Sequence, residues 1–298
     1  MFAASAQAAL ISGAAALTER ASYRGLRRVA WGLGHVFPSD NRVVVARPDG
    51  KLWLYLNDGY WSPLLRPHWA YEPEVGRALE RLLRPDSYFI DGGANIGYWS
   101  MFASARLPAG SVVAVEAAPQ SYQRLAENAE LNDDRWRCVY AALWNVADET
   151  LTMHASRRFH ASGTVVERIA FRTSLTSTIS TVTVDELVAR YASDTAREIV
   201  IKLDVEGAEL PAIEGATETL RRRAWHLVYE DHGKDPTHAV TRFLMGELGL
   251  RVHALAGDGS FAQVSRLDAL DEIKKDPRKG YNFVASSQDL APRLGRDD

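Results

Sequence analysis

One stretch constrains this chain more than any other: Tyr88 to Ser100, reading YFIDGGANIGYWS. The apolar run Tyr88, Phe89, Ile90 reaches an acid, Asp91. A glycine-bearing turn follows, Gly92, Gly93, Ala94, Asn95, Ile96, Gly97, and opens an amphipathic segment. That pattern is strand, tight turn, helix, the opening unit of an open α/β sheet. Ligands of such sheets lie outside the carboxyl ends of the strands, where a turn poor in side chains lets the backbone approach and the helix start offers free N–H donors. A dinucleotide fingerprint needs glycines at the first, third and sixth places, but from Gly92 the third place is Ala94 and from Gly93 it is Asn95. A nicotinamide oxidoreductase is therefore disfavoured. What remains is acid, x, Gly, x, Asn, x, Gly, in which the acid can accept from an ammonium group and the glycines leave room for an elongated ligand.

The rest of the chain alternates in the same way. Ser111 to Val115 reads as a second strand ending on Glu116, placed about 25 residues beyond the first acid to accept from both hydroxyls of a ribose. Pro119 starts a helix to about Leu131. Arg137 to Leu143 reads as a third strand, whose following turn, Ala142 to Asn145, is expected beside a nucleobase. Trp144 there reads as buried, with cover for the base as its functional alternative. Leu151 to Ala155 and Ser180 to Thr183 read as extra strand segments around a polar loop with Arg157, Arg158, His160, Arg168 and Arg172. That loop is an ordinary solvated one unless an acidic or phosphorylated acceptor pairs with its arginines. Ile199 to Leu203 is nearly continuous in apolar residues, as a strand buried on both faces is, and runs into Asp204. Trp225 to Tyr229 is a fifth strand ending on Glu230, Asp231, His232. A helix from about Pro236 to Leu248 and strands Arg251 to Leu255 and Tyr281 to Ala285 supply an antiparallel C-terminal edge.

Ahead of the organising turn, the alanine-rich segment 2–17 reads as a helix, followed by Arg20, Arg24, Arg27 and Arg28. It has no basic residue before it and is too short and polar to span a bilayer; peripheral attachment is the minor alternative. Val43 to Ala46 and Lys51 to Leu56 flank a Pro-Asp-Gly turn and read as a hairpin. Glu74 to Leu83 repeats apolar residues at helical spacing. Trp31, Trp53, Tyr55, Tyr60, Trp61, Trp69 and Tyr71 crowd this region; they fill a core or seam, or form a platform for the face of a sugar. The expected organisation is thus an extension over residues 1–84 (helix, hairpin, helix) that covers part of the cleft, an α/β domain over 85–290 and a tail over 291–298.

Composition narrows the class. Of 298 residues, 46% are hydrophobic and 24% charged, the balance of a globular protein, and the net charge of −3 announces no surface for nucleic acid. With one cysteine, Cys138, neither a disulfide framework nor a cysteine-rich metal site can form, which fits a reducing, cytoplasmic setting.

Four segments in order, IDGGANIGYWS, VVAVEAAPQSYQRLAENAELN, IVIKLDVEGAELPAIEGA and LVYEDHG, resemble the FkbM family of S-adenosylmethionine-dependent methyltransferases. The resemblance spans roughly Glu72 to Glu230, and DVEGAE after the fourth strand is its most telling part. It implies a class I, Rossmann-like methyltransferase sheet and, mostly, methyl transfer to a hydroxyl oxygen; the acceptor expected here is a hydroxyl of a sugar, glycan or secondary metabolite. It marks Asp91, Gly93, Asn95, Gly97 and Glu116 for the cofactor side and Asp204 and Glu206 for the edge of the active site. Gly92 stands where that family often has valine, and the aromatic-rich extension lies outside its motifs, so the acceptor is not inherited from it.

Methyl transfer from a sulfonium is an in-line displacement that needs positioning and a base for the alcohol proton. His232 is the first candidate because imidazole titrates near neutrality. Asp204 is a second, and Glu230 could orient His232. A divalent metal on Asp204, Glu230 or His232 is a third arrangement that the spacing does not demand. The rival class is a non-catalytic nucleoside-binding or scaffold protein that kept the fold; acids at four strand tips, Asp91, Glu116, Asp204 and Glu230, speak against it.

Overall fold

The computed structural model describes residues 2–19, 25–33, 36–38, 40–156, 163–166, 174–193, 196–233, 235–257, 260–276 and 280–290. Helices α1 (Phe2–Thr18) and α2 (Leu26–Leu33) precede the antiparallel hairpin β1 (Arg42–Arg47) and β2 (Gly50–Tyr55), a 3-10 turn Ser62–Leu65 and helix α3 (Pro73–Leu82). The extension therefore carries two helices, not one, ahead of its hairpin. The α/β unit follows with β3 (Ser87–Gly92), α4 (Tyr98–Ser104), β4 (Val112–Glu116), α5 (Pro119–Leu131), β5 (Arg137–Tyr140), β6 (Ala142–Leu143), β7 (Thr150–Ser156), β8 (Gly163–Thr164) and β9 (Ser174–Val182). Next come α6 (Val184–Tyr191), β10 (Glu198–Leu203), α7 (Glu209–Glu214), α8 (Thr217–Arg222), β11 (Ala224–Glu230), α9 (Ala239–Arg242), β12 (Val252–Leu255), β13 (Phe261–Gln263), α10 (Ala269–Ile273) and β14 (Asn282–Ser286).

The main sheet runs β13-β12-β14-β11-β10-β3-β4-β5. From β11 to β5 all neighbours are parallel, whereas β14 is antiparallel to β11 and β12, and β12 to β13. From β3 the chain walks outward to β5, then returns to β10 on the other side of β3. The order thus reverses between β3 and β10, and that reversal opens a crevice at their carboxyl ends. The fold is the mostly parallel class I methyltransferase sheet with an antiparallel C-terminal edge.

Alternation along the strands builds two cores, one per face. Tyr88 and Ile90 on β3, Val113 and Val115 on β4, and Ile199, Ile201 and Leu203 on β10 face one way, against Val184, Leu187 and Ile213. Phe89, Val112, Ala114 and Val200 face the other, against Leu79 of α3, Trp99 of α4 and Leu52 and Leu54 of the hairpin. All six residues of β3 and of β10 are buried, as strands covered on both faces require.

Three segments differ from the sequence reading. The third strand is divided: Arg137–Tyr140 stays in the main sheet, while Ala142–Leu143 pairs with β9 in a separate small sheet. The helix drawn over 236–248 shortens to α9 and a π-helical turn, Phe243–Glu247, beside Gly246 and Gly249. Four elements the periodicity did not single out, β8, α6, β13 and α10, are present. Arg157, Arg158, His160, Arg168 and Arg172 lie outside the described residues, as do Arg20, Arg24 and the tail 291–298. Among the described residues no helix is long and apolar enough to cross a membrane.

Candidate active site

The crevice is a cleft of about 1130 Å³, mouth included, walled by the ends of β3, β4, β10 and β11, by the extension and by the β7–β9 excursion. The extension contributes Tyr60, Trp61, Tyr71 and Glu72, and the excursion Met153, Thr164 and Val165. The Thr164 hydroxyl donates to the Glu206 carbonyl at 2.8 Å, fastening the excursion to the loop after β10. Glu116 ends β4 and Asp204 follows β10, and since those strands run parallel with β3 both carboxylates meet at the same edge of the sheet.

The turn after β3 has the shape its glycines permit. Gly93 sits at φ +71°, and a Cβ there would lie 1.8 Å from the Asp204 carbonyl oxygen, so the turn crosses directly over the β10 loop. Its amides are less free than the sequence suggested. Gly93 and Ala94 N–H both donate to the Val115 carbonyl at 3.0 Å, and Asn95 N–H donates to Glu116 Oε2 at 2.8 Å. Asn95 Oδ1 accepts from the Trp61 indole at 3.1 Å, which ties the extension to the turn.

On the β4 side, Glu116 is buried and its other oxygen accepts from Ala118 N–H at 2.8 Å. Burial pushes its pKa up, against the pull of those backbone donors. Ala117 N–H adjoins it as well, and beside it Ala142, Leu143, Met153 and Val165 form an apolar wall.

The β10 side is built differently. Lys202 stands opposite Asp91 in the parallel register and shares its face of the sheet. Lys202 Nζ lies 3.4 Å from Asp204 and 4.0 Å from Asp91. Burial works against the Lys202 charge, but Asp204, Asp91 and Glu72 outweigh it and hold the pKa above the ordinary lysine value. Carboxylate oxygens of Asp204, Glu209 and Glu230 lie within 4.8 Å of one another. Glu209 is raised to about 7 by burial, although Val205 and Gly207 N–H donate to it at 2.8 and 3.0 Å. Burial and the charges of Asp204, Glu209, Glu206 and Glu72 push Glu230 well up. Glu72 is raised to about 7, by burial first and then by Asp204, with Lys202 opposing. Among the described residues, Asp204, Glu209 and Glu230 are the set close enough to share a cation; backbone amides already hold Glu209, and Lys202 supplies positive charge at Asp204.

Of the residues singled out in the sequence, Gly93, Asn95, Glu116, Ala142, Asp204, Glu206, Glu230 and His232 line this one cleft. Asp91 and Gly97 do not. Asp91 is 0% exposed, takes a 2.6 Å hydrogen bond from Ser100 on α4 and faces Lys202, so it is a support under the site and not a wall of it. Gly97 starts α4 at φ +87°, packed so closely that a Cβ would lie 2.9 Å from Leu125 and 3.3 Å from Trp136. Trp144 is part-buried and lies outside the cleft wall. Lys202, Glu209 and Glu72 were missed. A lysine inside an otherwise apolar strand buried on both faces was the available signal for Lys202, because burying its charge demands carboxylate partners.

Over residues 91–252, more than half of the chain, the sequence matches the Methyltransferase FkbM domain. The chain belongs to the FkbM methyltransferase family. It is similar, at 27% identity over 190 residues, to the hexuronic acid methyltransferase AglP of Haloferax volcanii, covering 64% of this chain and 75% of that protein. Among solved structures it is similar to a methyltransferase FkbM from Methylobacillus flagellatus at 16% identity and a TM-score of 0.42, covering 68% of this chain and 45% of the other. It also resembles, at 13% identity and a TM-score of 0.39, a precorrin-6y C5,15-methyltransferase from Geobacter metallireducens, covering 73% and 88%. This chain thus spans less than half the length of the Methylobacillus protein. The fold assignment rests on the strand order, not on these superpositions.

Proposed function

We propose that this methyltransferase takes its methyl group from S-adenosylmethionine and delivers it to a hydroxyl oxygen of a sugar or glycan. The observation that carries the reading is the cleft itself: one buried glutamate, Glu116, beside an apolar wall, and an acid-rich end around Asp204 and Glu230, both at the edge where the sheet order reverses. The donor set fits this cofactor. Glu116 faces the cleft as an acceptor for ribose hydroxyls, Ala142 and Leu143 flank a flat base, and the acidic end suits a sulfonium and an ammonium. When bound, the cofactor supplies an electrophilic methyl group. Gly93 and Asn95 shape the floor beneath it, and Asp91 with Lys202 supports that floor from below.

The extension, residues 1–84, belongs to the acceptor side in this reading. Tyr60, Trp61 and Tyr71 reach the cleft, the last two in contact with Tyr98, with Trp61 and Tyr98 rings stacked at 6.0 Å. Tyr60 and Tyr71 share a 2.8 Å hydrogen bond between their hydroxyls. Aromatic faces suit the apolar face of a pyranose, and the similarity to a protein named for hexuronic acid favours a sugar over other alcohols. His232 and Asp204 face the same space and are placed to contact the acceptor.

Calorimetry with S-adenosylmethionine, S-adenosylhomocysteine and NAD tests the donor. Binding of the first two without the third is expected, and NAD binding would refute the reading. Release of S-adenosylhomocysteine from purified protein, screened against pools of neutral and acidic glycosides, tests the acceptor class; release with none of the hydroxyl acceptors but with amines or thiols would refute oxygen transfer.

A further inference from the structure

The cleft holds one carboxylate that the family match does not reach: Glu72, contributed by the extension just ahead of α3. Most of the other acids are already engaged. Glu116 accepts two backbone amides, Glu209 two more, Asp204 is engaged by Lys202 and Asp91 by Ser100. Burial, and after it four neighbouring carboxylates, push Glu230 toward its protonated form. Glu72 is part-buried, lines the cleft beside Tyr71 of the aromatic wall and, like Glu206 at φ 53°, is held in a left-handed backbone conformation, φ 39° and ψ 67°, which glutamate seldom adopts. Unlike Glu206 it comes from the extension, on the side assigned above to the acceptor. Pro73 follows at the start of α3, and because a proline favours extended backbone at the residue before it, the left-handed turn at Glu72 is held against that preference. A non-glycine residue kept in that region beside a cleft points to a role in it.

We infer that Glu72 is the general base of the transfer, taking the proton from the acceptor hydroxyl. The inference rests on the methyl-transfer reading above. As the hydroxyl oxygen bonds to the methyl carbon, the carbon–sulfur bond breaks, its electron pair stays on sulfur, and the hydroxyl proton passes to the Glu72 carboxylate, which later releases it to water. The groups that face Glu72 suit that cycle. Asp204 and Glu230 beside the β10 and β11 tips and Glu74 on α3 favour the protonated form, Lys202 the ionised one, and Tyr71 and Asn282 of β14 adjoin it. A carboxyl group raised to about 7 by this balance can both accept and return a proton near neutrality. His232, which follows β11 and lines the same cleft, is left to orient the acceptor.

The test uses the full chain with carbon-13 at the glutamate carboxyl carbons. Loss of one resonance in Glu72→Gln identifies Glu72. Its titration is expected near neutral pH and, with saturating S-adenosylmethionine, at distinctly lower pH, because a sulfonium then lies beside it. Cofactor binding that leaves this titration unmoved overturns the inference alone, whereas failure to bind the cofactor removes the methyl-transfer reading and the inference together. With methyl hexopyranosides as acceptors, Glu72→Gln is expected to lower kcat about 10²- to 10⁴-fold and to abolish the acidic limb of the pH profile, while Kd for S-adenosylmethionine rises only by the smaller factor that the shift in the Glu72 titration dictates. If His232→Gln abolishes that limb and Glu72→Gln keeps it, the base is His232 and the inference falls.

Discussion

On the β4 side of the cleft a buried glutamate is met by backbone amides; on the β10 side several carboxylates meet mainly one another. Glu116 receives Asn95 and Ala118 N–H, so the protein itself prepares it to stay an acceptor. Around Asp204 and Glu230, by contrast, Lys202 is the cation that balances Asp91, Asp204 and Glu72, and Glu230 is pushed toward its neutral form. The same residue type thus serves two ends. One is finished before ligand arrives; the other is short of positive charge, a shortage that a cationic ligand would relieve.

Lys202→Met should break the second end most severely. Removing one member of a buried ion pair leaves uncompensated charge and costs about 3–5 kcal/mol. Urea unfolding at pH 8 should show that loss, with less at pH 5, where the neighbouring carboxylates take up protons. A cost below about 1 kcal/mol, typical of exposed pairs, would mean that these charges are hydrated and the contrast between the ends is false.

The pH dependence of stability comes next in size. Glu209 is 5% exposed and raised to about 7 from an ordinary 4.5. Between those values the folded chain holds a proton that the unfolded chain has lost, so stability is greatest below about 4.5 and falls as pH rises through about 7, by about 3 kcal/mol for this group. Thermal melts of the cofactor-free protein from pH 5 to pH 8 should show the decline, and Glu209→Gln should flatten it. Stability that rises across that window would contradict the crowding of carboxylates.

The smallest effect belongs to the finished end. Glu116→Ala should weaken S-adenosylmethionine binding about 10- to 100-fold, the worth of one or two hydrogen bonds to a charged group. Circular dichroism should report the fold retained. An unchanged Kd would remove the ribose role from Glu116.

How far the sequence carried depends on what each signal encodes. The strands β3, β4, β10 and β11 were legible because they are buried on both faces and read as apolar runs, and Glu116, Asp204 and Glu230 were legible because they end those runs. Asp91 was read as a ligand contact because position along a strand does not reveal what covers its tip; Ser100 and Lys202 do. Glu72 lay in a Glu-Pro step whose left-handed backbone has no compositional mark, and its approach to β10 comes from packing of α3 against the β11 and β14 edge. The division at Ala141 escaped notice because Arg137 to Leu143 keeps strand-like residues while changing sheets.

The contrast between the two ends is tested most directly by counting protons on cofactor binding. Titration calorimetry at pH 7 in two buffers of unlike ionisation enthalpy should show net proton release with S-adenosylmethionine, as its sulfonium draws Glu72 and Glu230 into their charged forms, and less with S-adenosylhomocysteine, which lacks that charge. Equal release by both ligands, or proton uptake with S-adenosylmethionine, would contradict a sulfonium seated at the acidic end.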